Sequence, residues 1–457
     1  MKRLLFPTLL TGLAVLLTAC PQPAPQKPPP PLTLAWQSVL VTPDRKLIVD
    51  ASAGEQYVYV FNEELPLSGD YTQKWAALWR VEAVTGEVLG PVKFPDDTAA
   101  QALAAEGFGC PQPMGPDVEV DGGGRVYVSV ALRNAAAQAV GCDTFDGSWV
   151  NSAWAAFGIF DGGLQRTGLA WKKAFGNDDP TYTGVYTHLT QAPSGARIGG
   201  AYRSDVRVYS SNTLRGQLPP DAALSLGLEG TTGEFVSRAY TLPEGWLAKY
   251  LPDDPAAAGY GERLVRYDDA GGVVWEAVAS ADPFATERAA GVPGNPEAVF
   301  VSGVARGGEP YLGQAPPANE PDTAVFVARV DGGRLSWIRW IHAEESGWFS
   351  TNRYAVVPIV YDPAKDELYA ADNEVIIALD PASGETRWIT NLSEIVTGDP
   401  GGISDWFLLY QPQNFTHLFL VGGRLVGVSY SWWDSNQGRG SETDRYRPLV
   451  LGLDRRY

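Results

Sequence analysis

The chain alternates short runs of apolar and β-branched residues with turns rich in glycine, aspartate and proline. Residues 57–61 (YVYVF) and 125–130 (RVYVSV) are typical runs. Short runs rich in valine and tyrosine, bounded by turn residues, predict β-strands. We interpret the alanine-rich stretches 99–105 and 135–140 as loop insertions with at most a helical turn. The pattern therefore predicts an all-β protein from residue 34 onward.

A repeated unit narrows the architecture. In each copy a strand ends in an apolar residue and a polar one, usually an acid, then a turn with glycine follows, and a second strand carries a tryptophan in most copies. The anchor positions, about 62 residues apart on average, are Glu82, Asp161, Ser210, Asp268, Asp331, Asp380 and Asp454. Aspartate accepts local backbone hydrogens and glycine takes positive φ, so the unit suits a hairpin. Its spacing exceeds the 40–50 residues of a typical propeller blade and indicates loop insertions.

The repeat predicts a β-propeller with seven blades, or eight if the 220–260 stretch, which includes 235–240, contains another. The last copy stops at Tyr457 without its outermost strand. Residues 34–40 look like that strand and place Trp36 at the tryptophan position of the repeat. We therefore expect the N-terminal strand to close the ring in the last blade, which removes exposed sheet edges.

The clearest copy, 377–388, carries Asp380, Gly384 and Trp388 in the order Ala-Leu-Asp-x-x-x-Gly-x-x-x-Trp. This order resembles the repeat of pyrroloquinoline-quinone-type (PQQ-like) propellers, which include quinoprotein dehydrogenases and the propeller lipoprotein of the outer-membrane β-barrel assembly machine. For the dehydrogenases the resemblance implies a disulfide between adjacent cysteines and a calcium-binding acid cluster. The chain has no adjacent cysteine pair, so we expect no bound cofactor.

The N-terminus has a separate pattern. Lys2 and Arg3 precede the apolar run 4–17, which ends in 17–20 (LTAC). A basic start, a short apolar core and small residues before a cleavage site predict a secretory signal peptide. The last four residues resemble a bacterial lipobox, which implies cleavage before Cys20 and lipidation of Cys20. The alternative is an ordinary signal peptide with an incidental cysteine.

These patterns divide the chain into a signal peptide (1–19), the lipidated cysteine with a proline-rich tether (20–33) and the propeller (34–457). A polyproline II tether at ~3.1 Å per residue would hold the propeller roughly 40 Å from the bilayer. No other stretch reaches the roughly 18 apolar residues of a membrane span, so the lipid is the expected anchor. Pro21 stands where inner-membrane lipoproteins of enteric bacteria commonly have aspartate, which favours the outer membrane if the host has one.

Charge and cysteine content add two expectations. The formal net charge of −18 argues against nucleic acid and anionic lipid surfaces as partners. In an exported chain Cys110 and Cys142 would form a disulfide, worth about 3.5 kcal/mol on the chain-entropy model. Two buried free thiols are the alternative.

Candidate chemistry is sparse. His188, His342 and His417 are far apart in sequence, and we predict neither a metal site nor catalytic residues. The aromatic residues Trp348, Trp432 and Trp433 could form a ligand platform on one face, or belong to the core between blades.

The sequence thus favours a lipid-anchored envelope protein that faces the periplasm or the cell exterior. Its propeller would be a non-catalytic scaffold that binds another envelope protein. A ligand- or glycan-binding propeller is the second hypothesis, and an enzyme of the PQQ dehydrogenase type is the third.

Overall fold

The structure of the protein, a computed structural model, contains twenty-eight strands and one helix in the residues that it describes. These residues are 31–40, 42, 45–65, 75–105, 113–132, 154–173, 185–192, 195–202, 215–217, 224–228, 234–252, 261–282, 285–318, 323–341, 357–372, 375–392, 395, 413–431 and 447–456.

Six sheets share one plan, in which successive antiparallel strands follow one another across the sheet. The strands of blade 1 are β2 (Arg45–Ala53), β3 (Tyr57–Leu65), β4 (Trp75–Glu82) and β5 (Val88–Phe94). Those of blade 2 are β6 (Pro113–Val120), β7 (Val126–Leu132), β8 (Trp154–Phe160) and β9 (Arg166–Lys173). Those of blade 3 are β14 (Glu234–Leu242), β15 (Gly245–Pro252), β16 (Glu262–Asp268) and β17 (Val273–Ser280).

The second half of the chain repeats the plan three times. Blade 4 contains β18 (Thr286–Val292), β19 (Asn295–Arg306), β20 (Thr323–Asp331) and β21 (Arg334–Ile341). Blade 5 contains β22 (Ile359–Asp362), β23 (Glu367–Asp372), β24 (Val375–Leu379) and β25 (Thr386–Asn391). Blade 6 contains β26 (Gln413–Val421), β27 (Arg424–Ser431), β28 (Arg447–Arg455) and β1 (Leu32–Val39). First strands of neighbouring blades pack against one another at five of the six junctions, and a further strand, β10 (Val185–Ala192), packs against both first strands between blades 2 and 3. The first strands therefore form the centre of a β-propeller.

The N-terminal strand closes the ring. β1 pairs antiparallel with β28, from Leu32 opposite Arg455 to Val39 opposite Leu449. It begins two residues earlier than the sequence pattern indicated and supplies the outermost strand that the C-terminal blade lacks. The free edge of β28 is covered in this way.

The prediction of seven or eight blades is wrong, because only six sheets in the described part of the chain follow the four-strand plan. The repeat copy at Ser210 has neither acid nor tryptophan, and its region builds β10 (Val185–Ala192), β11 (Gly195–Tyr202), β12 (Arg215–Gln217) and β13 (Leu224–Leu228). There β11 pairs parallel with β13, whereas β12 joins the outer edge of β9 as a fifth strand of blade 2. The three-stranded sheet β10-β11-β13 contacts blades 2 and 3. The strand at 235–240, the basis for an eighth blade, is part of β14.

Apolar side chains on both faces of each blade fill the spaces between blades. Phe61 and Phe94 of blade 1 pack with Val128 and Phe160 of blade 2 in one such core. Phe94 and Phe160 meet edge to face with ring centroids 6.0 Å apart. A strand whose two faces are both covered needs apolar residues at consecutive positions, which is the pattern of 57–61.

One helix, α1 (Asp97–Ala105), lies in the connection between blades 1 and 2, where the sequence pattern indicated a loop. Asp96 caps it, since its Oδ1 accepts from the backbone N–H of Ala99 at 2.7 Å. Ala99 and Leu103 are buried in the core between the two blades. In the part of the chain that the structure describes, no helix has the length and apolar character needed to cross a membrane.

Candidate functional site

The first strands of all six blades enclose a central channel of about 380 Å³. Titratable side chains reach it from five blades. They are Asp50 of β2, Asp117 and Glu119 of β6, Arg238 of β14, Arg288 of β18 and His417 of β26. The sixth wall, β22, contributes the apolar side chains of Ile359 and Val360. A cavity of this volume with mixed polar and apolar walls has the size and character of a small-molecule site.

Asp50 and His417 connect blade 1 to blade 6 across the channel. His417 Nε2 lies 3.0 Å from Asp50 Oδ1, and the other oxygen of Asp50 accepts from the backbone N–H of Val118 at 2.9 Å. Burial alone would raise the pKa of Asp50, but the hydrogen bond from His417 and its charge hold it well below its usual range. The carboxylate therefore remains ionised in the channel.

Arg288 contacts the same imidazole from blade 4. Its Nη2 lies 3.2 Å from His417 Nε2, and its Nε donates to the carbonyl oxygen of Thr416 at 3.1 Å. Burial and the positive charge of Arg288 lower the pKa of His417 to about 4. A neutral imidazole can use Nε2 either as a donor to Asp50 or as an acceptor from Arg288, but not as both. The imidazole tautomer therefore decides which of the two groups is bonded to the ring.

Glu119 of blade 2 joins blades 1 and 3 at the side of the channel. Its two carboxyl oxygens accept from Ser52 Oγ at 3.0 Å and from Thr241 Oγ1 at 3.1 Å. Burial and the nearby charge of Asp50 raise its pKa to about 8. At neutral pH this carboxyl group is mostly protonated, which leaves Asp50 as the ionised member of the pair.

Arg238 differs from the other charged groups of the channel. Its guanidinium lies over the ring of Tyr240, 5.7 Å from the centroid. No hydrogen bond or ion pair joins it to any other residue that the structure describes. The electrostatic influence of Asp50 and Asp117 reaches it without direct contact.

A second buried polar network lies beside the channel, between blades 3 and 4. Lys249 Nζ donates to the carbonyl oxygen of Thr286 at 2.8 Å and lies 3.6 Å from Glu262. Thr286 bonds Glu262 through its backbone N–H and its hydroxyl, and that hydroxyl is 2.8 Å from the hydroxyl of Tyr311. The network is internally satisfied, so it connects the two blades and leaves no group directed at a ligand.

Carboxylates such as those of the channel are potential metal ligands. Within the described ranges no group of three or more histidine, cysteine, aspartate or glutamate side chains is arranged to hold a metal ion. The guanidinium of Arg288 at the Nε2 atom of His417 supplies positive charge at the position where a cation would need a donor.

The repeat residues predicted from the sequence lie away from the channel, at the turns between third and outermost strands. Five of the seven anchors occupy this position, namely Glu82, Asp161, Asp268, Asp331 and Asp380. Asp454 lies near the end of the third strand of blade 6, where it pairs with Thr33 of the N-terminal strand. The carboxylate of Asp380 accepts from the backbone N–H groups of Ala382 and Ser383 at 2.9 and 3.0 Å. Trp388 follows on the outermost strand β25.

The tryptophan of one blade packs on the turn of the next. Trp337 Nε1 of blade 4 donates to the carbonyl oxygen of Pro381 in blade 5 at 3.1 Å. A Cβ atom at Gly384 would lie 2.6 Å from the Trp337 ring, so only glycine fits there. Trp36 donates to Ala83 at 2.9 Å in the same way and ties blade 6 to blade 1. The repeat signature is thus a device for joining blades.

Several predicted residues lie outside the described part of the chain. They are Cys20, Cys110, Cys142, His342, Trp348, Trp432 and Trp433. His188 lies on β10. Of the three histidines, His417 is therefore the one seen among the channel side chains.

Sequence reasoning missed Asp50, Glu119, Arg238 and Arg288. Each is a charged residue on the first strand of its blade. A charged residue on a first strand predicts a group at the channel, but this prediction can be made only when the blade boundaries are already known.

No protein-family model matches this sequence, and no curated protein matches it. Solved structures do resemble the fold. A luciferin-regenerating enzyme is 9% identical over 74% of this chain and 90% of the other, with a TM-score of 0.34. The Dos1 propeller is 10% identical over 87% of this chain and 75% of the other, with a TM-score of 0.29. Likeness at this level carries no argument about function, and the propeller assignment is based on the sheets of the chain itself.

Proposed function

We propose that this protein is a lipid-anchored envelope protein whose six-bladed propeller binds a small ligand in its central channel. One observation carries the binding part of the proposal: titratable side chains of five blades converge on a cavity of about 380 Å³. Ligand sites in proteins are concave, partly apolar and equipped with a few convergent polar groups. The channel has all three properties.

The anchoring part of the proposal is based on the sequence. The lipobox-like residues 17–20 and the proline-rich 21–31 support a lipid on Cys20 and a spacer that extends the propeller from the membrane. The protein would then face the periplasm or the cell exterior, at the outer membrane where the host has one. Its partners would be the membrane, through the lipid, and the ligand of the channel.

A thermal-shift screen of small polar compounds against the purified protein tests the binding proposal, followed by a crystal structure with each compound that raises the melting temperature. We expect at least one compound to stabilise the fold and to lie among Asp50, Arg238 and Arg288. Stabilising compounds that all bind outside the channel would contradict the proposal, and so would a screen without any stabilising compound.

The protein-interaction scaffold inferred from the sequence is a second proposal. The observation that favours it is on β17, the outermost strand of blade 3, where Val273 and Val278 are 59% and 71% exposed. Exposed apolar side chains on an edge strand offer a surface to another protein. Cross-linking in intact cells, followed by mass spectrometry, should then recover an envelope protein joined to β17. Recovery of the protein without any partner would count against this role.

A further inference from the structure

Arg238 is the channel group whose hydrogen-bonding capacity is unused within the described structure. A guanidinium carries five N–H donors. Arg288 donates to the backbone carbonyl oxygens of Thr416 and Glu287, and its Nη2 lies 3.2 Å from His417 Nε2. Arg238 has only the ring of Tyr240 beside it, at 5.7 Å. A charged fork without a hydrogen-bonded partner at the wall of a cavity has the chemistry of a ligand contact.

The neighbouring groups indicate the charge of that ligand. Arg238 and Arg288 lie on first strands of adjacent blades that contact each other, which places two positive charges on one side of the channel. Burial and the charge of Arg238 lower the pKa of Arg288 to about 10, so the two guanidinium groups interact. Asp50 and Glu287 partly compensate these two positive charges, and an anionic ligand beside the guanidinium groups would add to that compensation.

The carboxyl groups of the channel are already bonded. Asp50 accepts from His417 and Val118, and Glu119 accepts from Ser52 and Thr241. A cationic ligand would have to displace these bonds, whereas an anion would add bonds to Arg238 without breaking any. The balance of unused donors and used acceptors therefore favours an anion.

Apolar side chains of the channel wall indicate what the rest of the ligand should be. Blade 5 lines the channel with Ile359 and Val360, and blade 6 adds Phe419. These side chains also pack in the cores between blades, but the part of each that lines the channel would contact an apolar group and not an ion that is polar all round, such as phosphate. A carboxylate with a small apolar body would satisfy both sides of the channel.

We propose that the channel binds a small monocarboxylate whose anionic head is held by the guanidinium of Arg238 and whose apolar body lies against blades 5 and 6. This inference rests on the proposed function, since it names the ligand class for the same channel. Arg238 would bind the two carboxylate oxygens with its parallel N–H donors. Arg288 would add charge without giving up its own bonds.

Benzoate and its neutral isostere benzamide test the inference on the intact purified protein. The affinities are measured by isothermal titration calorimetry, with saturation-transfer NMR for weak binding. We expect benzoate to bind at least tenfold more tightly than benzamide. We expect Arg238→Gln to lower the benzoate affinity at least tenfold and to leave weak benzamide binding unchanged, because a charge-assisted pair is lost.

Arg263→Gln is the matched control, because Arg263 also lies in blade 3 but pairs with the exposed Glu276 at 3.0 Å. It should bind benzoate like the unmodified protein. Circular dichroism reports whether each variant folds. If Arg238→Gln does not fold, Arg238→Lys replaces it, and we expect Lys, which keeps the charge but loses the planar fork, to weaken benzoate binding severalfold.

The outcomes separate this inference from the proposed function. Equal affinities for benzoate and benzamide, or benzoate binding unaffected by either Arg238 variant, would overturn the monocarboxylate assignment. If cationic or neutral compounds then occupied the channel in crystals, the proposed ligand-binding function would still hold, without the monocarboxylate assignment. Failure of every compound class to bind the channel would overturn both.

Discussion

At the scale of single residues, Glu119 gives the protein a pH dependence near neutrality. Burial and the charge of Asp50 raise its pKa from 4.5 to about 8. The folded state therefore keeps a proton that the unfolded chain releases, and stability falls as the pH rises from about 4.5 to about 8. His417 acts in the opposite direction. Burial and Arg288 lower its pKa from 6.5 to about 4, so its contribution is lost as the pH falls through that window.

The contributions of Glu119 and His417 to stability oppose each other between about pH 4.5 and 6.5. Above about pH 6.5 only the contribution of Glu119 still changes with pH. We predict that the free energy of unfolding falls between about pH 6.5 and 8 by at most about 2 kcal/mol, at 1.36 kcal/mol per pH unit. Glu119→Gln should remove this fall, because its amide does not titrate. Urea unfolding at several pH values measures it. Glu276→Gln is the control, with a side chain that is 65% exposed, and it should keep the slope. An unchanged slope in Glu119→Gln would contradict the assignment.

Single residues also show where sequence reasoning stopped. Asp380 and Gly384 could be interpreted because their turn chemistry is local: the partners lie within four residues. Asp50 and His417 are 367 positions apart and meet only because the ring closes. Nothing in the sequence around either residue reports that contact, so the channel network could not be predicted from residue type and spacing.

At the scale of elements, the joint between blades depends on the glycine in the turn before the outermost strand. Gly384 has φ of +75°, and a Cβ there would lie 2.6 Å from the ring of Trp337. Gly423 in the β26–β27 turn has φ of +79° and open space around it. Comparing alanine at both positions separates backbone strain from the lost packing of the tryptophan.

We predict that Gly423→Ala costs about 1 kcal/mol of unfolding free energy through the left-handed conformation alone. Gly384→Ala should cost about 2–4 kcal/mol, because the tryptophan must also move. Chemical denaturation of both variants at one pH measures the difference. Equal losses of unfolding free energy in the two variants would show that the packing of Trp337 does not require glycine at position 384.

Ring closure is the second prediction at this scale. β1 covers β28 and brings Trp36 onto the turn of blade 1 at Ala83. A chain that starts at residue 41 should therefore melt at a lower temperature and aggregate through the exposed β28 edge. A chain that starts at residue 31, which lacks only the preceding segment, should behave like the longer protein. Equal melting temperatures would mean that β1 is dispensable.

The repeat predicted strands and the closure of the ring correctly. The degenerate copy at Ser210 led to a blade count that is too high. Asp268, Asp331 and Asp380 each mark a real blade, because acid, glycine and tryptophan occur together after them. At Ser210 only a weak strand and Gly216 supported the copy. β11 pairs parallel with β13, and turn residues in the sequence do not predict a pairing of this kind.

At the scale of the whole molecule, we propose that a membrane anchor is joined to a ligand-binding ring. We predict that cells fed labelled palmitate incorporate it into the protein, and that Cys20→Ser abolishes the label and moves the protein from the membrane to the soluble fraction. Cys142→Ser is the control and should keep both the label and the membrane association. Label retained in Cys20→Ser would refute lipidation at this residue.

We propose that the propeller binds its ligand in the channel and not at its outermost strands. Hydrogen–deuterium exchange with and without the compound that stabilises the protein most tests it directly, because ligand contacts slow the opening of the strands that they touch. The account predicts slower exchange in the first strands, β2, β6, β14, β18 and β26, with unchanged exchange in outermost strands such as β17 and β25. Protection confined to the outermost strands, with the first strands unchanged, would contradict it.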